Sequence, residues 1–235
     1  MKDLVIIGAG GLGREVAALV ERINQRMPTW NILGFLDESK PIGEQVDGYP
    51  VLGNLKWLND NPTVFTVCGV GTGNTRRKIV ERINERSSNV ATLIDPSVLI
   101  TGNCSIGEGS IICAGSILTT NIKIGKHVII NLSCTIGHDT ILHDFCTAHP
   151  GVNISGKVTA DECVDFGTGT KVIQGKHICE NVFLGAGSVV VKDIEEPGTY
   201  VGVPAAKRQE NNKGGQSNKG ICIKVENTFC QAGAA

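Results

Sequence analysis

Large rings are scarce in this chain: aromatic residues are 4% of its 235 residues, against 30 glycines and a hydrophobic fraction of 41%. A core of this composition cannot rest on stacked aromatics; it must be narrow and rich in tight turns. No sign of charge dominates. The formal net charge is −1, which leaves no electrostatic footprint for nucleic acid or an anionic membrane. Long apolar runs are missing too. Leu4-Val5-Ile6-Ile7 stops at Gly8, too soon for a signal-peptide core or a bilayer span. The nine cysteines are odd in number and form no CxxC, which argues against a zinc ribbon and a disulfide framework. Reduced thiols acting as small apolar fillers in the cytosol are the expectation, with no metal.

What is present is a period of six. Stepping from Ile94 gives Ile100, Ile106, Ile112, Leu118, Ile124, Ile130 and Ile136, and then Leu142 to Val190 without a break, with only Ala148 and Ala160 small. Neither helical nor strand periodicity produces such a run. Four places further on the residues are mostly small or β-branched, as at Cys104, Ser110, Ser116 and Val128. The reading is a triangular prism in which each six-residue unit is a flat strand plus a corner and three units make one coil. Position one fills the interior, position five completes the layer, and stacked coils bury what one coil could not. Gly107, Gly125, Gly137, Gly167 and Gly185 follow position one, and a turn that disfavours a Cβ is expected there. Lys176 interrupts position five and predicts a local bulge.

Before the repeat, Leu4–Ile7 reads as a buried strand. Gly8-Ala9-Gly10-Gly11-Leu12-Gly13 fits GxGxxG, and Leu12, Val16, Val20 and Ile23 then recur at helical spacing. Strand, glycine turn and helix together can bring backbone N–H groups to a phosphate. Residues 31–36 read as a second strand ending in Asp37-Glu38, which can accept from a ribose or base. Residues 63–70 read as a third, followed by Gly71 and a helix that starts near Arg76 and Arg77. Only half of a dinucleotide fold fits before residue 94, so a mononucleotide suits it better than NAD, and a purely structural glycine turn stays open. The expected domains are 1–90, 91–208 and a C-terminal extension, 209–235, of unassigned role.

In Ile136-Gly137-His138-Asp139, His138 takes position three, which faces outward, and Asp139 follows at a corner. Imidazole beside a carboxylate can accept a proton from an amine or hydroxyl, and the carboxylate sets its tautomer. A surface histidine without a role is the competing reading.

Gly8–Gly13, Gly34-Phe35-Leu36-Asp37, Gly137-His138-Asp139, Ser155-Gly156-Lys157-Val158, Gly185–Val190 and Val201–Lys207 together resemble the hexapeptide-repeat nucleotide-sugar acetyltransferases and the related sialic acid O-acetyltransferases. The resemblance runs to about Lys207. It implies a small Rossmann-like α/β domain followed by a left-handed parallel β-helix. It also implies acetyl-CoA as co-substrate, a homotrimer, a nucleotide-linked amino sugar as acceptor, and a place in surface-glycan assembly. On it, His138 is the general base, Asp139 its partner and Gly156 an oxyanion donor. Gly8, Gly10, Gly11, Leu12, Asp37, Glu38, Gly71 and Asn131 hold the acceptor. Thr147, Gly156, Thr168, Ala186, Pro204 and Lys207 contact acetyl-CoA. The chain departs from the family at Thr147, where a second histidine is frequent, and at His143 and His149, where small residues are usual.

Other readings use the same residues. His138 and His143 form H-x4-H, as in the γ-class carbonic anhydrases, but a third ligand would fall near Gly102, where there is no histidine. A non-catalytic β-helix scaffold is another reading, and O-acetylation of a sugar hydroxyl a third. The tail after Arg208 reads as a polar linker, with Ile221–Val225 alternating like a short strand.

Overall fold

A computed structural model of the chain describes residues 1–84 and 89–208. The fold class expected from the sequence is the one found: a small Rossmann-like α/β domain leading into a left-handed parallel β-helix. The expected strand in 221–225 lies outside the described residues. Among the described residues no helix is long and apolar enough to cross a membrane.

The first unit comprises β1 (Lys2–Ile7), α1 (Gly11–Arg26), β2 (Trp30–Leu36), β3 (Gln45–Val46), β4 (Tyr49–Gly53), α2 (Trp57–Asp60), β5 (Phe65–Cys68) and α3 (Gly73–Asn84). Its sheet runs β3-β4-β2-β1-β5. β1 pairs in parallel with β2 and β5 and is covered on both faces, so its apolar run is unbroken. The β3–β4 hairpin was not expected from the sequence. Its signal was Asp47-Gly48, a pair suited to a two-residue turn with φ positive at both places; here φ is 46° and 85°.

From Leu93 onward the chain winds around three faces. The first face stacks Leu99–Ile100, Ile117–Leu118, Thr135–Ile136, Asn153–Ile154, Lys171–Val172 and Val189–Val190. The second stacks Cys104–Ile106, Ile122–Ile124, Ile141–Leu142, Thr159–Ala160 and His177–Ile178. The third runs from Leu93–Ile94 through Thr147–Ala148 to Ala206–Lys207. Every pairing from Leu93 to Val190 keeps an offset of one coil, as in Thr135↔Asn153 and Thr147↔Asp165. The six-step ladder is interior from Ile112 to Val190, whereas Ile100, in the uncovered first coil, is 38% exposed.

The stacking reassigns the glycines. Left-handed backbone falls at position four, not after position one: from Gly109 to Gly187 every sixth residue has φ between 53° and 75°. Non-glycine residues such as Asn121, His127, Asp139 and Phe145 occupy it at a cost of roughly 1 kcal/mol each. Coil-to-coil hydrogen bonds help to offset that cost, as when Asp139 N donates to the Thr120 carbonyl and Lys157 N to that of His138. The glycines at position two answer a different need. A Cβ on Gly107, Gly137 or Gly167 would lie 2.4–2.5 Å from backbone of the next coil. Close approach, not a turn, excludes a side chain there. Small hydroxyls at position five tie the coils together: Ser110 Oγ donates to the Gly125 carbonyl and Ser116 Oγ to that of Asn131.

The bulge expected at Lys176 is absent, since Thr159↔His177 keeps the register. The lysine extends its ammonium to 3.8 Å from Asp193 and leaves the layer undisturbed. The register shortens later, where Ile178 pairs with Ile194.

The two units share a core. Leu4, Val16, Leu19 and Val20 pack with Leu93, Ile111 and Ile129 from the outer side of the third face. Arg22 grips the buried Asp95 through two hydrogen bonds of 2.6 and 3.0 Å. Arg76, 0% exposed, completes the joint. Its Nε donates to the His127 carbonyl, its Nη1 to those of Val70 and Gly71, and its Nη2 to Phe145 and Cys146 and to the Thr147 hydroxyl. Burial lowers the Arg76 pKa, opposed by charges that include Asp165, itself buried.

Two outcomes follow from this joint. Replacing Arg76 with Met strips donors from five carbonyls and leaves Asp165 without its counter-charge, so unfolding free energy in urea should drop by about 3–5 kcal/mol. His127 stacks on Phe145 with ring centroids 5.3 Å apart and is 6% exposed. Burial first, and then the Arg76 charge, depress its pKa to about 4. An unfolded histidine titrates near about 6.5, so the unfolded chain takes up the proton first as pH falls. Stability should therefore be full above about pH 6.5 and decline by about 3 kcal/mol toward pH 4. His127→Phe should flatten that slope in Tm measurements between about pH 7 and 4.5.

Candidate functional site

His138 and Asp139 stand at positions three and four of the edge between the first and second faces. The His138 Nδ1 lies 2.8 Å from Asp139 Oδ2, and the two side chains are 46% and 39% exposed. Asn121 occupies position four one coil earlier, and its Nδ2 donates to Asp139 Oδ1 at 2.6 Å. Asn121 and then His138 hold the Asp139 carboxyl below the ordinary carboxylate range, with some help from the Lys157 charge. An ionised Asp139 accepts a hydrogen bond from Nδ1–H, the tautomer of the imidazole that leaves Nε2 as the acceptor.

One coil later at the same edge is Gly156, buried under the imidazole. A Cβ there would sit 2.5 Å from His138 Nε2, so glycine makes room for the ring. The Gly156 N–H meets no acceptor among the described residues.

A second group of expected residues gathers at the C-terminal ends of β1, β2 and β5. Gly8, Asp37 and Glu38 line a cleft of about 170 Å³ with Leu36, Leu55 and Val70. Gly8 has φ 92°, and Gly13 allows α1 to cross the strand end, since its Cβ would lie 1.9 Å from the Gly8 carbonyl oxygen. Gly10 and Gly11 have open space beside them. The Asp37 carboxylate is already occupied, accepting from Ala9 N and from Ser39 N and Oγ. Burial raises its pKa, but these bonds and the Lys40 charge outweigh that and leave it lowered. Glu38, also at the cleft, is paired with Arg82 at 2.7 Å.

The remaining expected residues are spread along the prism. Asn131, Thr168 and Ala186 lie toward the edge between the third and first faces, with Asn131 buried. Lys207, in the last strand pair, is ion-paired with Glu196 at 2.7 Å, and Pro204 lies in the turn before it. Thr147, expected at acetyl-CoA, is 1% exposed. Its hydroxyl donates to the Gly71 carbonyl and accepts from Arg76, so the seam between the two units uses it. Gly71 belongs to the same seam, close to Leu12 and His149.

One chain therefore brings His138, Asp139 and Gly156 together but keeps them from the glycine turn. The turn sits against the third face, opposite the edge that carries His138. Sequence reading missed Asn121 and the role of Arg76. Asn121 could have been found by counting one coil back from Asp139. The role of Arg76 carried no sequence signal, since the carbonyls it serves are defined only once the units dock.

The family model for the PglD N-terminal domain matches residues 3–83. GDP-perosamine N-acetyltransferase of Escherichia coli O157:H7 is 28% identical over 173 residues, covering 72% of this chain and 77% of that protein. The acetyltransferase domain of PglB from Neisseria gonorrhoeae FA1090 superposes with a TM-score of 0.81 at 30% identity, covering 88% of this chain and 100% of that one; in complex with acetyl coenzyme A the same domain is 31% identical over 99% of its length. PerB from Caulobacter crescentus, solved with CoA and GDP-perosamine, superposes with a TM-score of 0.81 at 27% identity, covering 89% and 98%.

Gly156→Ala tests the packing of the imidazole. The Gly156 φ is not left-handed, so the coil should fold with little change in Tm. The methyl should push the ring away, and a crystal structure should show Nδ1 more than about 3.5 Å from Asp139.

Proposed function

Because the chain belongs to the hexapeptide-repeat nucleotide-sugar acetyltransferase family, we propose that it transfers the acetyl group of acetyl-CoA to the amine of a nucleotide-linked amino sugar. The observation that carries this reading is the exposed His138–Asp139 pair stacked on Gly156, in a chain whose first unit has an open glycine turn beside a small open cleft. The relatives described above, whose names include N-acetyltransferase and GDP-perosamine, favour an amine over a hydroxyl acceptor.

In this reading the amine nitrogen attacks the thioester carbonyl carbon while His138 Nε2 accepts its proton. The Gly156 N–H donates to the oxyanion of the tetrahedral intermediate. Collapse forms the amide and expels the CoA thiolate, which takes the proton back from the imidazolium. Asp139 stabilises that imidazolium through Nδ1. Gly8, Gly10, Gly11 and Leu12 receive the phosphates at the start of α1, with Glu38 at the cleft and Gly71 and Asn131 nearby. Thr168, Ala186, Pro204 and Lys207 line the path of CoA. Thr147 is omitted from that path because the seam holds it. A homotrimer completes the site, the glycine turn of one copy meeting the His138 edge of the next. The separation of the two halves within one chain supports this, as do Leu99 and Ile117, exposed on the first face.

The test is an acetyl-transfer assay over UDP-, dTDP- and GDP-linked amino sugars. One of them should be acetylated, and His138→Ala should lose at least about a hundredfold in kcat/KM. Full turnover by that variant would remove His138 from the chemistry.

A further inference from the structure

Asp139 is poorly placed for a residue that must orient an imidazole. It is the chain neighbour of His138, both side chains stand at an exposed edge, and water competes for each of its oxygens. A carboxylate so placed can rotate about its own side-chain bonds and leave the ring. Its backbone does not restrain those bonds: the Asp139 N–H is held by the Thr120 carbonyl at 3.1 Å, which settles the coil and not the side chain.

The restraint comes from the coil before. Asn121 Nδ2 donates to Asp139 Oδ1 at 2.6 Å, while Oδ2 faces His138 Nδ1 at 2.8 Å. Each carboxylate oxygen thus has its own partner, and rotation would break both bonds. Asn121 is in the left-handed conformation at φ 55°, which asparagine tolerates better than most residues. The register that stacks position four on position four aims its amide at the carboxylate. We propose that Asn121 is a positioning residue: it acts through Asp139 to hold the His138 imidazole in the tautomer that leaves Nε2 able to accept a proton. This rests on the reading of His138 as the base. The amide bonds to the carboxylate and not to the ring, so it reaches the imidazole only through Asp139.

The geometry also supplies a variant that should fold. Asn121→Gly removes the amide from a left-handed position that glycine adopts freely, and the Thr120 carbonyl still holds the Asp139 N–H. The variant should keep the wild-type Tm. Its kcat should fall about tenfold with KM for both substrates unchanged. Nitrogen-15 NMR of the His138 ring in the full chain should show the Nδ1–H tautomer giving way to a mixture of both tautomers. Asn121→Asp keeps the shape but sets a second carboxylate against the first, and should not restore kcat.

Wild-type kcat in Asn121→Gly, or a lower kcat with the ring still wholly in the Nδ1–H form, would overturn the proposal. His138→Ala, assayed alongside, separates the two claims. An inactive His138→Ala beside a fully active Asn121→Gly rejects the role of Asn121 alone, whereas an active His138→Ala rejects the reading beneath it.

Discussion

The candidate site is governed by one constraint, the stacking of each coil directly on the one before. That register lays the His138 ring over Gly156 and brings the Asn121 amide to the Asp139 carboxylate. No loop is specialised to build the constellation. The repeat that buries Leu118, Ile136 and Ile154 inside the prism also sets the outward residues of successive coils in columns, so a functional side chain inherits its position from the core. A rigid element is a more accurate support for such a group than a mobile connection would be.

A buried guanidinium controls the other half. Arg76 directs its donors to carbonyls of its own unit and of the β-helix, and so fixes the two units to each other beyond their apolar contact. The planar fork of arginine suits this better than lysine, whose point charge cannot serve several fixed carbonyls at once. Thr147 and Asp165 belong to the same seam, where partners within the chain already engage the Thr147 hydroxyl.

Much of the architecture was legible because the cause was periodic. The run from Ile94 to Val190 repeats one physical requirement, and the prism follows from it. His138 and Asp139 could be placed at an outward corner because they fall at defined steps of that repeat, whereas Gly156 entered through the family resemblance. What could not be read was non-periodic or depended on docking. The left-handed positions carry Asn, His, Phe, Lys and Cys as well as Gly, so no single residue type marks them. The glycines that do mark a column answer to crowding from the next coil. The burial of Thr147 and the saturation of Asp37 depend on partners 71 and 28 residues away.

The register that holds from Leu93 to Val190 also constrains how that stretch can change length. One whole coil of extra residues inserted beyond Phe166 would leave every later side chain on its own face. A third of a coil inserted there would turn everything downstream by one face of the prism. The column that ends in Ala186 would then pass to a different edge, while His138 and the first unit stayed where they are. Insertions and deletions are therefore tolerable in whole coils and damaging in parts, which quantises the lengths that descent can explore.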